Sequence, residues 1–361
     1  MPRLYGRHQD PHELRRRAGD LSQFGGVTAL ELTDGRARGV RGLLFRTGRL
    51  TFLVLADRGL DIAWAELDGR PLGWMSGTGI VAPAYYEPEG VSWLRSFYGG
   101  LLATCGLSNV GLPSDDGAMH YGLHGRVGHA AAERLAHGAG WDGDDYVLWA
   151  EGTLREAIVF GEHLVLNRRI EARLGEATIR IVDTVENHGW QPSPLMLLYH
   201  VNTGYPLLDE GSRVHLRATA THPRNPQAEA GLAEWRNGSA PRPGFLEQVF
   251  HHEVEPDAEG WARAVLENPH LDQGQGLALA VRYHSGELPY FWQWRMVGEG
   301  TYVMGLEPSN CGLRGRVTEL AADAVRTIGP GERVTFRLEL EAARGYEEVQ
   351  SLVQSAGGAP S

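Results

Sequence analysis

The sequence predicts an all-β fold, a large antiparallel sandwich or barrel with few short helices. Short apolar runs of strand length recur along the whole chain, Gly, Asp, Asn and Pro separate them, and helical periodicity is scarce. Strands that follow one another through short turns, with few helices between them, pair mostly antiparallel.

The predicted strands run from residue 27 to residue 342. Apolar residues alternate in "TIRIVDTVEN" (178–187) and "VTFRLEL" (334–340), so that one face of each strand is apolar. The turn sequences "TDGR", "LDGR", "WDGDD" and "RNGS" suit the connections between such strands. The predicted strands, in chain order, are VTALELTDG, LTFLVLADRG, YVLWAEGTL, LVLNRRIEA, TIRIVDTVENHG, LMLLYHVNTG, LALAVRYHSG, YVMGLEP and RVTFRLELEA.

Helices are predicted only at residues 11–18 and in "GYEEVQSLVQSA" near the C-terminus. Residues 223–245 are rich in Pro, Asn and Ala and are predicted to form a long loop. We see no repeat of 20–50 residues and no shift in composition along the chain. We therefore predict one domain over residues 1–361, with a core at about 25–345, a short N-terminal extension and a frayed C-terminal tail, "GGAPS".

The composition argues against several classes of partner. The formal net charge is −11 and the pI is about 5.8, which disfavours a surface for nucleic acid or anionic membranes. No apolar run approaches the roughly 20 residues of a membrane span, and the first residues lack the apolar core of a signal peptide. Two cysteines, Cys105 and Cys311, are too few for a disulfide framework or a cysteine zinc site. We expect a cytoplasmic monomer or homodimer that binds neither nucleic acid nor membrane.

The sequence contains no lysine, so all 34 basic residues are arginine. This excludes a Schiff-base lysine, a pyridoxal-phosphate lysine and a P-loop lysine. The glycine-rich fingerprint of dinucleotide binding and the G-x-S-x-G motif of serine hydrolases are also missing. We therefore predict chemistry that uses no nucleotide cofactor and no serine nucleophile.

Three polar segments interrupt the strand-rich sequence, and each places a titratable residue among apolar and aromatic neighbours. They are "RSFYGGLLATCGLSNVG" followed by "YGLHGR", with Arg95 and His124; "LLYHVNTGYPLL", with His200; and "YFWQWRMVGEGTYVMGLEPSNC", with Glu307. A histidine titrates near neutrality, and apolar surroundings push a glutamate toward it. A Glu/His pair therefore suits general base and acid catalysis.

Each of these residues also has a purely structural interpretation. His124 suits a bridge between loop carbonyls, and His200, inside an apolar strand, suits a hydrogen-bonded core histidine. Glu307 follows the apolar "YVMGL" and precedes Pro308, so it is predicted at the end of a strand. Spacing alone leaves both interpretations open.

"YGLHGR", "YHVNTGYPLL" and "GLEPSN", in this order, resemble the galactose-mutarotase-like superfamily, the aldose 1-epimerases and their relatives. More narrowly, they resemble an uncharacterised branch labelled as a domain of unknown function. The resemblance covers about residues 25–345. It implies a large antiparallel β-supersandwich, in agreement with the strand pattern, and a monosaccharide or sugar derivative as substrate.

The resemblance also implies roles for individual residues. Glu307 takes the place of the base that removes the proton of the anomeric hydroxyl, and His200 that of the acid that protonates the ring oxygen. His124 corresponds to the second histidine, which helps to hold the sugar. Arg95, which lies before "YGG" with two residues between them, corresponds to an arginine that binds a sugar hydroxyl.

Further substrate-binding residues are expected around this set. Arg126 and Asn109 are features of the uncharacterised branch, and Trp292 and Trp294 offer flat apolar surfaces on which a sugar ring packs. The best-known mutarotases also have a sugar-contacting aspartate between the second histidine and the glutamate. This sequence offers no clear equivalent, and the nearest polar cluster is "FLEQVFHHEV", at residues 245–254.

A metal ion is the alternative use of the same side chains. His251, His252 and Glu253 are adjacent, so in a strand at most two of them share a face, which is poor spacing for ligands. A composite site of His124, His200 and Glu307 suits a divalent ion, but those residues support acid–base chemistry without one. We predict no metal and no cofactor.

The leading hypothesis is a carbohydrate isomerase that interconverts sugar anomers or epimers. A second is a lyase or isomerase acting on an oxidised sugar, in which Glu307 removes a proton next to a carbonyl. A third is a non-catalytic sugar-binding protein on the same scaffold. The presence of both histidines and the glutamate favours an enzyme, because binding alone needs donors and aromatic rings but no acid–base set.

These hypotheses require a definite geometry. His124, His200 and Glu307 are predicted to converge on one pocket at one end of the sandwich, with functional atoms within roughly 10 Å of one another. Arg95 is expected to point into the same pocket. At least one of Trp292 and Trp294 is expected to form its wall.

Overall fold

Strands dominate the computed structural model, which describes residues 1–358 of the chain. They make up 47% of the structure, and the five α-helices of the described residues are short. The strands are β1 (Arg3–Leu4), β2 (Arg7–His8), β3 (Gly26–Glu31), β4 (Arg41–Arg46), β5 (Leu50–Leu55), β6 (Asp61–Leu67), β7 (Arg70–Pro71), β8 (Trp74–Met75), β9 (Gly99–Gly100), β10 (Leu102–Leu107), β11 (Ser114–Asp115), β12 (His120–Tyr121), β13 (Glu133–Asp142), β14 (Asp145–Ala157), β15 (His163–Arg173), β16 (Thr178–Asn187), β17 (Ser193–Pro194), β18 (Met196–Thr203), β19 (Arg213–Leu216), β20 (Ala218–Pro223), β21 (Gln248–Val254), β22 (Trp261–Asn268), β23 (Leu277–His284), β24 (Tyr290–Gly298), β25 (Thr301–Ser309), β26 (Thr327–Ile328) and β27 (Arg333–Arg344). The predicted all-β class is confirmed.

Two large antiparallel sheets form the body of the fold. The first has eleven strands in the order β20, β21, β24, β25, β18, β10, β6, β5, β4 and β3, with β7 paired to β6. The second has eight strands in the order β13, β14, β15, β16, β27, β23, β22 and β19. Most neighbours along these orders are also close in the chain, which is typical of antiparallel meanders.

The apolar residues that alternate with polar ones in the predicted strands form the core. In β16, Ile179, Ile181 and Val185 are buried, and Phe336 and Leu338 of the paired strand β27 are buried beside them. Removing such a side chain from water stabilises the fold by about 1.5–3 kcal/mol. The predicted sandwich and its strand faces are therefore confirmed.

Strand β18 contributes to two different clusters. Leu197, Tyr199 and Val201 point into the main core of the protein. The intervening residues point to the opposite face of the sheet, where Leu198 belongs to a second buried cluster and His200 packs beside it. The second cluster lies on the outer face of the eleven-stranded sheet, and this face carries the candidate site.

Both predicted α-helices are found, and the described residues contain three more. Residues 11–18 contain α1 (Pro11–Arg17), and the C-terminal segment contains α5 (Tyr346–Ser355). The remaining α-helices are α2 (Pro226–Ala230), α3 (Leu271–Gly274) and α4 (Arg316–Ala321), and the 3₁₀ helices are Leu21–Gln23, Gly35–Ala37, Pro83–Tyr85, Ser92–Arg95, Val127–His129 and Leu232–Glu234. No helix within residues 1–358 is long and apolar enough to cross a membrane.

The long loop predicted at residues 223–245 is interrupted by α2, which corrects that expectation. Asn225 caps the helix by accepting a hydrogen bond from the Ala228 backbone N–H at 2.8 Å, and Pro226 occupies a first-turn position that suits it. Of the predicted frayed tail, the last three residues lie outside the described part of the chain.

A buried ionic network joins the two sheets. Arg168 on β15 is fully buried and donates to both carboxylate oxygens of Asp183 at 2.9 and 2.6 Å. It also donates to the Gly59 carbonyl at 2.9 Å and to Asp61 of the other sheet at 3.1 Å. The Tyr199 hydroxyl donates to Asp183 at 2.7 Å. Burial lowers the pKa of Arg168, but Asp183 and Asp61 outweigh it, so the guanidinium stays charged.

Replacing Arg168 with Met is expected to lower the free energy of unfolding by about 3–5 kcal/mol, because two buried carboxylates lose their counter-ion. Urea denaturation measures the change. The matched control is Arg333→Gln, which breaks an exposed pair with Glu186 and is expected to cost about 1 kcal/mol or less. A loss below 1 kcal/mol for Arg168→Met would show that the network does not hold the sheets together.

Candidate active site

A cavity of about 550 Å³ lies on the outer face of the eleven-stranded sheet. It is lined by His200 and Glu307 from the sheet and by segments that include residues 74–78, 91–97 and 111–124. Its volume is in the range of cavities that bind small molecules. The sequence predicted a pocket at one end of the sandwich, but the cavity lies on a face of the sheet. Side chains of β18 and β25 alternate between the core and the outer face, and those on the outer face line the cavity.

His200 and Glu307 meet across two neighbouring strands. Val201 of β18 pairs with Leu306 of β25, which places the two titratable residues side by side on the outer face. The distance from His200 Nδ1 to Glu307 Oε1 is 3.4 Å, and the two residues are 5% and 2% exposed. Neither atom has a hydrogen-bond partner among the described residues. An unsatisfied buried polar atom costs about 1–3 kcal/mol, so both atoms favour a ligand.

Burial shifts the pKa of both members of this pair, in opposite directions. It raises the pKa of Glu307 to about 8, while Arg224 opposes and Glu247 adds to this shift. Burial also lowers the pKa of His200 to about 4. At pH 7 these shifts favour a protonated carboxyl group beside a neutral imidazole, an arrangement in which the pair carries one titratable proton.

His124 lies beside the pair. Its ring is edge-on to His200 with the centroids 5.8 Å apart, and it packs against Trp93 at 4.9 Å. Its Nδ1 accepts a hydrogen bond from the Gly111 backbone N–H at 3.4 Å, which assigns the proton of the neutral ring to Nε2. Burial, His200 and Arg224 lower the pKa of His124 well below its ordinary value.

A tight loop contact fixes the position of His124. The Gly106 backbone N–H donates to the His124 carbonyl at 3.0 Å, and the Arg126 N–H donates to the Gly106 carbonyl at 3.0 Å. A Cβ atom on Gly125 would lie 2.4 Å from the Gly106 carbonyl oxygen, and Gly125 has a φ of +70°. The second glycine of "GLHG" is therefore required by close packing of the backbone.

Aromatic side chains form much of the cavity wall. Trp294 is edge-on to His200 at 5.4 Å, Phe97 lies 5.3 Å from the same ring, and Trp74 lies 6.0 Å from Trp294. The predicted wall at Trp294 is thus present. Trp292 does not line the cavity, because its Nε1 donates to the Cys311 carbonyl at 3.4 Å and its ring packs against His251.

The structure does not bring Arg95 to the cavity. Its side chain is 69% exposed and its Nε lies 3.4 Å from a Glu87 carboxylate oxygen. Arg95 ends the 3₁₀ helix Ser92–Arg95, in which Trp93 and Leu94 line the cavity instead. The arginine therefore lies on the solvent side of this helix.

Arg126 and Asn109 also lie outside the cavity lining. Arg126 is exposed, and it follows the tight turn at Gly125. Asn109 is fully buried, and its amide donates to the Leu112 and Gly122 carbonyls at 3.1 and 2.8 Å. Its oxygen accepts from the Arg316 N–H at 2.8 Å, so Asn109 holds the loop together and has no polar atom free for a ligand.

Two charged residues of the cavity were not assigned from the sequence. Arg224 follows β20 in "HPRNP", a segment expected to be only a loop. Glu247 belongs to the polar cluster at residues 245–254 and immediately precedes β21. The Trp294 Nε1 donates to a Glu247 carboxylate oxygen at 3.0 Å. Neither residue belongs to the motifs that predicted the site, and the pairing of β20 with β21 brings both to the cavity.

The polar side chains do not assemble a metal site within residues 1–358, where no group of three or more His, Cys, Asp and Glu is arranged to hold an ion. His252 is buried and contacts Thr221 and Gln293 at 2.9 Å each, while Glu253 contacts His222 at 2.9 Å. The adjacent residues therefore point apart, as strand alternation requires.

The chain is similar in sequence to one protein family and in structure to several solved proteins. The domain of unknown function DUF4432 matches residues 37–342. A candidate aldose 1-epimerase from Klebsiella pneumoniae superposes with a TM-score of 0.85 at 23% identity, covering 93% of this chain and 88% of that one. A galactose mutarotase-like protein from Clostridium acetobutylicum superposes with a TM-score of 0.61 at 13% sequence identity, and the match covers 89% of this chain and 99% of that one. A galactose 1-epimerase from Lactobacillus acidophilus superposes with a TM-score of 0.57 at 13% sequence identity, and the match again covers 89% of this chain and 99% of that one.

No curated protein sequence matches the chain. At these identities the structural similarities show a shared fold, the galactose-mutarotase-like sandwich. Because the family match spans most of the sequence, the chain belongs to the DUF4432 family, on a galactose-mutarotase-like fold.

Proposed function

We propose that the protein is a carbohydrate isomerase that interconverts anomers or epimers of a sugar by acid–base catalysis in this cavity. One observation carries the proposal: two buried and unpartnered acid–base atoms, His200 Nδ1 and Glu307 Oε1, lie 3.4 Å apart at an aromatic-lined cavity. The epimerase names of proteins with the same fold support it. The buried free thiols of Cys105 and Cys311 suit the cytoplasmic location that we also propose.

The chemistry of ring opening matches a pair that holds one proton. Opening a cyclic hemiacetal removes the proton of the anomeric hydroxyl, breaks the bond between the anomeric carbon and the ring oxygen, and adds a proton to that oxygen. Both oxygens are bonded to the same carbon, so the base and the acid must lie close together. Glu307 and His200 meet this condition.

The proton count also balances over the cycle. With Glu307 protonated and His200 neutral, His200 accepts the hydroxyl proton while Glu307 donates to the ring oxygen, and afterwards the pair again carries one proton. Closing the ring on the other face of the carbonyl reverses both roles. This assigns the proton differently from the sequence-based expectation of a glutamate base and a histidine acid, because burial favours the neutral carboxylic acid.

Other cavity residues bind and orient the sugar in this proposal. The rings of Trp294 and Phe97 offer apolar surfaces to the C–H face of a sugar, and His124, protonated on Nε2, supplies a hydrogen-bond donor. Glu247 supplies a carboxylate, in the chain order in which the best-known mutarotases have an aspartate. None of these groups requires a cofactor.

Glu307→Gln is expected to lower the rate of anomer exchange about 10²–10⁴-fold and to change sugar affinity much less, because the amide keeps the shape but has no transferable acidic proton. NMR exchange spectroscopy on a panel of free sugars measures the rate. Glu339→Gln, on β27 of the other sheet, is the control and should keep full activity. Near-full activity of Glu307→Gln would reject the acid–base role.

The pH dependence of kcat/KM is expected to be bell-shaped, with limbs near pH 4 and pH 8. Below about 4, His200 is also protonated and the pair contains no base. Above about 8, Glu307 loses its proton and the pair contains no acid. A rate that keeps rising with pH through 8 would show that Glu307 acts only as a base.

Gly305→Ala is expected to reduce turnover toward the level of Glu307→Gln. A Cβ atom at this position would lie 2.1 Å from Glu307 Oε1, so the carboxyl group must rotate away from His200. Gly140→Ala is the control, since a Cβ there meets nothing within 4 Å. Thermal unfolding checks that both variants are folded, and full turnover in folded Gly305→Ala would show that the carboxyl position is unimportant.

The same NMR experiment in heavy water separates the alternatives. Anomer exchange leaves hydrogens on carbon untouched, whereas proton abstraction next to a carbonyl introduces deuterium at that carbon. Deuterium incorporation would favour the lyase or isomerase acting on an oxidised sugar. Sugar binding without either reaction would favour the non-catalytic binding protein.

A further inference from the structure

We propose that Arg224 is an anion-binding subsite of the cavity, so that the substrate is a sugar carrying a carboxylate or phosphate group. This inference rests on the proposed function in placing a sugar in the cavity, and it names the class of that sugar. Arg224 neither accepts nor donates a proton in the acid–base step described above.

Arg224 is the only cationic side chain among the described residues that line the cavity. Its side chain makes no ion pair and no hydrogen bond within residues 1–358, although most other arginines of the protein pair with a carboxylate or a carbonyl. It lies near enough to act electrostatically on Glu307 and His124. A ligand that reaches the acid–base pair is therefore also within reach of this charge.

The backbone at Arg224 is held in place. Pro223 pairs with Phe250 at the end of β20, and the Arg224 N–H donates to the Val249 carbonyl at 2.9 Å. Asn225, the next residue, caps helix α2. The guanidinium thus extends from a fixed strand–helix junction, so that binding a ligand orders the side chain but not the backbone.

The acidic side chains of the cavity leave this positive charge available. Glu247 accepts the hydrogen bond of the Trp294 indole and forms no ion pair with Arg224. Glu307 contacts His200, and burial keeps its carboxyl group protonated at neutral pH. An incoming anion therefore meets an unpaired guanidinium, while the Glu247 carboxylate is held by the indole of Trp294.

The chemistry of the guanidinium selects the ligand class. Its planar fork of N–H donors fits the two oxygens of a carboxylate or phosphate, and such charge-assisted bonds are stronger than bonds to a neutral hydroxyl. The side chain of Arg224 is exposed at the cavity, so a ligand that enters from solvent can reach it. A neutral sugar would leave this donor set without an anionic partner.

The test compares ring-locked methyl glycosides, which bind but cannot exchange anomers. Methyl galactoside and methyl glucoside are each compared with the corresponding uronate and 6-phosphate, using the fluorescence of the cavity tryptophans Trp74, Trp93 and Trp294. We expect at least one anionic member to bind about tenfold or more tightly than its neutral counterpart. Whether the uronate or the phosphate binds best identifies the source of the charge.

Arg224→Gln is expected to reduce this preference to about one, and Arg224→Lys to retain part of it. Arg333→Gln, which makes the same charge change on the other sheet, is expected to keep the preference. Thermal unfolding checks that each variant is folded. Equal binding of neutral and anionic members, failure of every anionic member to bind, or a preference that survives Arg224→Gln would overturn the inference.

The experiments can reject the anion subsite and the isomerase activity independently of each other. A preference that depends on Arg224, together with no anomer exchange of any free sugar or uronate, keeps the anion subsite and rejects the isomerase. Anomer exchange of free sugars without any preference for anions keeps the isomerase and rejects the subsite.

Discussion

The ion pairs of Arg168 are the interaction on which the arrangement of the two sheets depends. A guanidinium without exposed surface bridges Asp183 of its own sheet and Asp61 of the other. Desolvating such charges costs several kcal/mol for each ion, so the network is favourable only when every donor and acceptor is matched. Asp61 meets this demand by accepting from the Thr104 N–H and hydroxyl at 2.9 and 2.6 Å. The relative position of the sheets is thereby specified more narrowly than apolar packing alone would specify it.

Strands β10 and β18 connect this core network to the candidate site, because together they carry residues of both. Tyr199 binds Asp183 in the core, while His200, the next residue, points to the opposite face and into the cavity. Thr104, bound by Asp61, pairs with Tyr199 across β10 and β18. The core contacts of Tyr199 and Thr104 therefore hold the strand that carries His200. On the other face of the sheet, burial shifts the pKa of both His200 and Glu307. The alternation of one strand therefore connects the buried core network to the candidate acid–base pair.

The fold and the central residues could be predicted from the sequence because local patterns encode them. Alternation and turn residues predicted the sheets, and ordered motifs predicted that His124, His200 and Glu307 share one site, which the structure places around one cavity. The prediction that Arg95 points into the cavity is wrong, because a 3₁₀ helix turns neighbouring residues to different sides and the motif does not show which side faces inward. Arg224 was missed for a different reason: its position depends on the pairing of β20 with β21, a long-range contact that no local pattern reveals. The proton distribution between His200 and Glu307 depends on burial, which a sequence motif also does not contain.

The most direct test of the account is an NMR titration of the Glu307 carboxyl group and the His200 ring in the ligand-free protein, with Glu307→Gln used to assign the carboxyl signal. The account predicts a carboxyl group that is protonated at pH 7 and titrates near pH 8, beside an imidazole that stays neutral down to about pH 4. A carboxyl group that titrates near its ordinary value of 4.5, beside a histidine that is protonated at pH 6, would contradict it. In that case the pair would be an ordinary ion pair, and the shared-proton basis of the proposed catalysis would be lost.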